Sequence, residues 1–113
     1  MNSSIVTIIT TRRFEKELKR LNKKYASLKN EYAQLIEDLL KNPQTGTFIG
    51  NNCYKIRLSI STKGKGKSGG ARVITHFYFK TETVYLLGIY DKSEKQDLKP
   101  NELTAMIQQL DIE

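Results

Sequence analysis

Lys55 and Arg57 stand two apart in a segment where Tyr54, Ile56, Leu58 and Ile60 alternate with Lys55, Arg57, Ser59 and Ser61. That alternation marks a half-buried strand, so both cations project from one side of it. Arg72 opens the next run of strand formers, Arg72-Val-Ile-Thr-His-Phe-Tyr-Phe79. Antiparallel pairing of the two strands would bring Arg72 within one or two rungs of Arg57 or Ser59 on the same side. Like charges side by side cost stability, so such a cluster is more readily explained by an anionic ligand than by folding. Three separate charges on a solvated face is the alternative reading of the same residues.

The overall charge points the same way. The chain carries 19 Lys and Arg against 12 Asp and Glu, a formal net charge of +7. That balance favours polyanionic partners such as RNA, DNA or an acidic protein. Residues 39–81 contain no acid, and the same window holds Lys41, Lys55, Arg57, Lys63, Lys65, Lys67, Arg72 and Lys80. Suppose the ligand is RNA. Cleavage by 2′-OH attack needs a proton taken from the hydroxyl, charge stabilised at the phosphate, and a proton given to the leaving 5′ oxygen. The planar fork of arginine suits the second task. For the others the basic middle offers His76, the single histidine. It shares the parity of Arg72 but lies four residues on, roughly 13 Å at strand rise, and reads as a peripheral RNA contact or a structural histidine. Lysine would then do the proton work, with a pKa lowered by neighbouring cations. Cys53, the one cysteine, can form no internal disulfide and has no zinc-type spacing. It reads as a small buried residue in a reducing, cytoplasmic setting.

The stretch Ser61-Thr-Lys-Gly-Lys-Gly-Lys-Ser-Gly-Gly-Ala-Arg72 joins the two strands. Gly64, Gly66 and Gly69 match a dinucleotide-binding fingerprint, but that motif requires a following helix, and Val73 to Phe79 reads as strand. A P-loop would need glycine where Ser61 stands. Two readings remain: a solvated hairpin connection that guards a sheet rim, or a basic flap lying along phosphates.

The elements that must position these residues follow from periodicity. Ile5 to Thr10 is rich in β-branched residues and reads as a first strand, with Thr10 or Thr11 as cap of the next element. Phe14, Leu18, Leu21 and Tyr25 repeat at helical spacing, ringed by Arg12, Arg13, Lys16, Lys19, Arg20, Lys23 and Lys24. Leu28, Tyr32, Leu35, Ile36 and Leu39 stripe a second helix from about Ser27 to Lys41, ended by Asn42-Pro43. Val84 to Tyr90 is nearly all apolar, as for a strand buried on both faces. Leu103, Met106, Ile107 and Leu110 predict a short C-terminal helix with Pro100 near its start. The expectation is one α+β domain over residues 1–113: strand, helical hairpin, then strands of a mainly antiparallel twisted sheet (β-α-α-β-β-β), then a short helix. No apolar run is long enough to span a membrane.

Three ordered motifs, Tyr54-Lys-Ile-Arg-Leu58, Gly64-Lys-Gly-Lys-Ser-Gly-Gly-Ala-Arg-Val-Ile74 and Leu86-Leu-Gly-Ile-Tyr-Asp-Lys-Ser-Glu-Lys-Gln-Asp-Leu98, resemble the RelE/ParE toxin superfamily, and within it the HigB/RelE-like branch of type II toxin–antitoxin systems. The resemblance covers most of the chain. It implies a RelE-like fold and an mRNA interferase that cuts mRNA in the ribosomal A site, leaving a 2′,3′-cyclic phosphate and a 5′-OH, with no metal or cofactor. It implies a cognate antitoxin as partner, with operator DNA contacted only through the antitoxin complex. The antitoxin would lay an acidic or amphipathic segment over the basic face, or displace the C-terminal helix.

Carried over by position, Lys55 is the candidate general base, Arg57 holds the phosphate, Arg72 stabilises the transition state, and Lys92 contacts RNA or assists the leaving group. Lys95 is a nearby RNA-binding candidate, with Lys63, Lys65 and Lys67 of the flap and His76. Some relatives carry a C-terminal tyrosine where Leu98 stands; Tyr90 is near but on a strand that reads as buried. Two other functions suit the same pattern: a ParE-type toxin that binds gyrase without catalysis, and an inactive RNA-binding relative stacking bases on Tyr78 and Tyr85.

Overall fold

The computed structural model describes residues 5–64 and 69–110. Its elements are β1 (Thr7–Thr10), α1 (Arg12–Lys24), α2 (Leu28–Lys41), β2 (Thr47–Gly50), β3 (Cys53–Leu58), β4 (Ala71–Tyr78), β5 (Thr83–Asp91) and α3 (Glu102–Gln108). This is the expected α+β order with one strand added.

Thr11 starts α1, its hydroxyl accepting the Phe14 N–H at 3.1 Å. The spacing of Phe14, Leu18 and Leu21 puts all three on one buried stripe. Leu28, Leu35 and Leu39 do the same for α2. Asn42 ends α2 in extended geometry, φ −140° and ψ 92°, as the residue before Pro43 must.

The five strands lie in the order β1-β5-β4-β3-β2, with β1 parallel to β5 and the other pairs antiparallel. The added strand β2 returns to β3 through Asn51 and Asn52, both at positive φ (52° and 59°), the geometry of a type I′ hairpin turn. It escapes periodicity because it is four residues long, sits at the sheet edge and exposes Phe48.

The pleat divides the sheet cleanly. Tyr54, Ile56, Ala71, Val73, Phe77, Val84, Leu86 and Ile89 face the helical hairpin in one core. Cys53, Ile74, Leu87 and Tyr90 face the other way, where Met106 of α3 covers part of them. A register shift after Ile74 leaves Leu87 between the partners Leu86 and Gly88, a bulge that turns Leu87 toward α3. Gly88 makes room for that helix: a Cβ there would stand 2.7 Å from the Met106 terminal methyl. The Ile89 N–H next to the bulge donates to Glu17 of α1 at 3.0 Å. Arg13 in turn bridges Glu17 and Glu102, tying α1 to α3 around the sheet edge.

Candidate functional site

The face that α3 only partly covers carries the candidate residues. In the β3–β4 ladder Arg57 pairs directly with Arg72, and Lys55 with Ile74. In the β4–β5 ladder Arg72 pairs with Tyr90. Paired residues share a face, so Arg57, Arg72 and Tyr90 form one row across three strands, with Lys55 two residues along β3 on the same side. The expected convergence of residues 55, 57 and 72 is therefore met at the backbone.

The three cations differ in setting. Arg57 is exposed. Lys55 is half-buried and donates to Asp97 Oδ1 at 2.8 Å. Arg72 is buried, at 5% exposure, and one of its guanidinium nitrogens donates to its neighbour's carbonyl, Ala71 O, at 3.1 Å. Arg72 thus sits in the floor of the row, with Arg57 on its open side.

The segment between β5 and α3 forms one wall. Lys92 N–H donates to Gly70 O at 2.9 Å, and Lys92 Nζ to Gln96 O. Lys95 pairs with Glu102 and lies over the Tyr90 ring, 5.5 Å from its centroid. Asp97 Oδ1 also accepts the Leu98 N–H at 2.8 Å and lies 3.5 Å from the Tyr90 hydroxyl. Lys55 draws the Asp97 carboxyl below its ordinary pKa, helped by the Leu98 N–H. Burial, with Asp97 beside it, pushes the Tyr90 phenol up to about 12, so the hydroxyl keeps its proton at neutral pH.

The other candidates are dispersed. Lys63 is not on this face. The next rung pairs Leu58, Ala71 and Asp91, which turn toward the helices, and Lys63 reaches Asp91 there at 2.6 Å with only 7% of its side chain exposed. Tyr25 and Ser93 hydroxyls also donate to that carboxylate. Burial would raise the Asp91 pKa, but the bonds from Lys63, Tyr25 and Ser93 overcome it and hold the group ionised. Lys63 is thus bound to the fold rather than offered to a ligand, because the chain leaving β3 turns into a short 3-10 segment over the hairpin side. Lys65 and Lys67 lie outside the described residues. His76 pairs with Cys53 and Tyr85 in the two ladders, its Nδ1 3.5 Å from the thiol, at the α3 end of the face. Burial lowers its pKa, and burial raises that of Cys53 to about 11, so neither charges readily at neutral pH.

Sequence reasoning misses Asp97 and reads Tyr90 only as part of a buried strand. Tyr90 hid in an apolar run whose parity is reset by the Leu87 bulge. Asp97 lies in a charged loop where no period assigns a direction. The pairing of Arg72 with Tyr90 also puts a phenol on this face.

Solved structures that this fold is similar to include three of E. coli proteins. An arginine-to-alanine double mutant of the toxin RelE in the free state matches with TM-score 0.62 and 16% identity, over 94% of this chain and 98% of that one. The isolated RelE toxin matches with TM-score 0.60 and 16% identity, over 93% and 99%. A chain of the intact RelBE toxin–antitoxin complex matches with TM-score 0.59 and 17% identity, over 76% and 95%. At that identity the likeness is one of fold. The family model described as "RelE toxin of RelE / RelB toxin-antitoxin system" matches residues 7–110 of the sequence itself. That span runs from the first residue of β1 to just past α3, so every element described above falls inside it, and the chain belongs to the RelE toxin family.

Proposed function

We propose that this RelE-family chain is a ribosome-dependent endoribonuclease, the toxin of a type II toxin–antitoxin pair, which cuts mRNA in the A site by 2′-OH attack. The observation that carries the reading is the direct pairing of Arg57 with Arg72 across β3 and β4, with Lys55 on the same side. Two guanidinium groups on one rung suit the two non-bridging oxygens of a phosphodiester and the extra charge they gather in the transition state.

In the reaction the 2′ oxygen bonds to phosphorus and the P–O5′ bond breaks, leaving a 2′,3′-cyclic phosphate and a 5′-OH. Lys55, as the free amine, takes the 2′ proton. Arg57 meets the incoming phosphate from the open side, and Arg72 stabilises the charge from the floor. The leaving oxygen needs a proton, for which Lys92 on the adjoining wall and the protonated Tyr90 are the donors at hand. The antitoxin partner follows from the family and from the cationic face, which an acidic segment would neutralise.

The test uses purified protein and ribosomes carrying a defined mRNA. Cleavage should yield a 3′ end that resists phosphatase until its cyclic ester is opened, and a single 2′-deoxy substitution at the scissile nucleotide should abolish it. Cleavage of the deoxy substrate, or products with a 5′-phosphate, would contradict 2′-OH attack.

A further inference from the structure

Asp97 stands among the cations that are to receive the phosphate. Its Oδ1 accepts from Lys55 Nζ at 2.8 Å and from the Leu98 N–H at 2.8 Å, and lies 3.5 Å from the Tyr90 hydroxyl. The loop that presents it is held by bonds that do not involve Lys55: Lys92 N–H to Gly70 O, Lys92 Nζ to Gln96 O, Lys99 N–H to Glu102, and Lys95 to Glu102. The carboxylate is therefore carried to Lys55 by the fold. Yet 64% of its side chain remains exposed, so it can leave without opening the core.

Its position conflicts with the work assigned to Lys55. A general base must be free to meet the 2′-OH, and a carboxylate at 2.8 Å already occupies the Lys55 Nζ. A phosphate seated on Arg57 and Arg72 would repel Asp97 and compete for the same ammonium. From these contacts we infer that Asp97 is a positioning residue and resident phosphate mimic: it occupies the Lys55 amine in the empty site, and the RNA backbone displaces it on binding. This rests on the nuclease reading and adds to it that the site is self-neutralised until substrate enters.

The experiment measures binding of a fluorescent RNA oligonucleotide, 2′-deoxy throughout the cleavable positions, at low salt. Asp97→Asn keeps a carbonyl oxygen for the Leu98 N–H, so the loop retains its cap; unchanged thermal melting checks this. Asp97→Asn should bind about two- to five-fold tighter than wild type, the range an exposed ion pair commands. In a Lys55→Gln background the same change should give no gain, because the contact it relieves is gone. Equal affinity of wild type and Asp97→Asn overturns the proposal and leaves the nuclease reading intact. A gain of the same size in the Lys55→Gln background also overturns it, since that is the mark of general charge rather than of this pair. If neither protein binds the oligonucleotide, this proposal falls; loss of cleavage on ribosomes as well would take the nuclease reading with it.

Discussion

At the scale of single residues, charged groups of one kind are doing two different jobs. Lys63 and Asp91 are buried partners on the helix side, whereas Arg57 lies open on the other face. Lys63→Ala leaves a buried carboxylate with only Lys24, Tyr25 and Ser93 to hold it, and should cost about 2–3 kcal/mol in urea denaturation. RNA cleavage by the folded variant should persist; its loss at a temperature where the protein is folded would place Lys63 in the site after all. Glu102 offers a test by pH. Burial would raise its pKa, but Lys95, the Lys99 N–H and Arg13 together lower it from 4.5 to about 2. A depressed carboxylate contributes stability that is complete above 4.5 and lost as pH falls through about 2. Melting temperature should therefore fall across that window, and less steeply in Glu102→Gln; equal slopes would show that the group is not the one titrating. The roles of such residues divide by legibility. Arg57 and Arg72 could be brought together from sequence because strand parity dictates direction. Lys63 and Asp97 could not, because a loop residue has no parity and its partner is distant in the chain.

At the scale of elements, hydrophobic period decided what could be foreseen. The stripes of α1 and α2, and the apolar run of β5, each bury as their spacing requires. β2 has no such pattern, and the clue to it was the Asn51-Asn52 pair, a hairpin turn dipeptide next to Thr47-Phe-Ile-Gly50. The bulge at Leu87 was also invisible, since an extra residue in a wholly apolar strand leaves the run unbroken. Gly88 beside it shows what the bulge serves. Gly88→Val would drive a side chain into Met106, costing about 1–3 kcal/mol and loosening α3 from the sheet. In amide hydrogen exchange the α3 protons should lose protection while those of β3 and β4 keep it. Uniform loss would mean that α3 is integral to the core.

At the scale of the molecule, one sheet separates the main core from the candidate site. The helical hairpin covers one side and supplies most of the core; the other side, partly closed by α3, gathers Lys55, Arg57, Arg72 and Tyr90 from three strands. The charge of +7 and the acid-free middle led to the expectation of a polyanionic partner. The closeness of Arg57 to Arg72 is the point on which the proposed catalysis turns. It is tested most directly by primer extension on cellular mRNA after induction of wild type, Arg57→Ala and Arg72→Ala at matched protein levels. Arg57 is exposed, so its variant should fold as the wild type does; Arg72 is buried, so its variant is read together with a melting curve. Wild type should give new ends within codons, and each variant should lose them by about 10²-fold or more. Undiminished ends from both folded variants, or intact mRNA beside gyrase-trapped DNA breaks, would contradict the account.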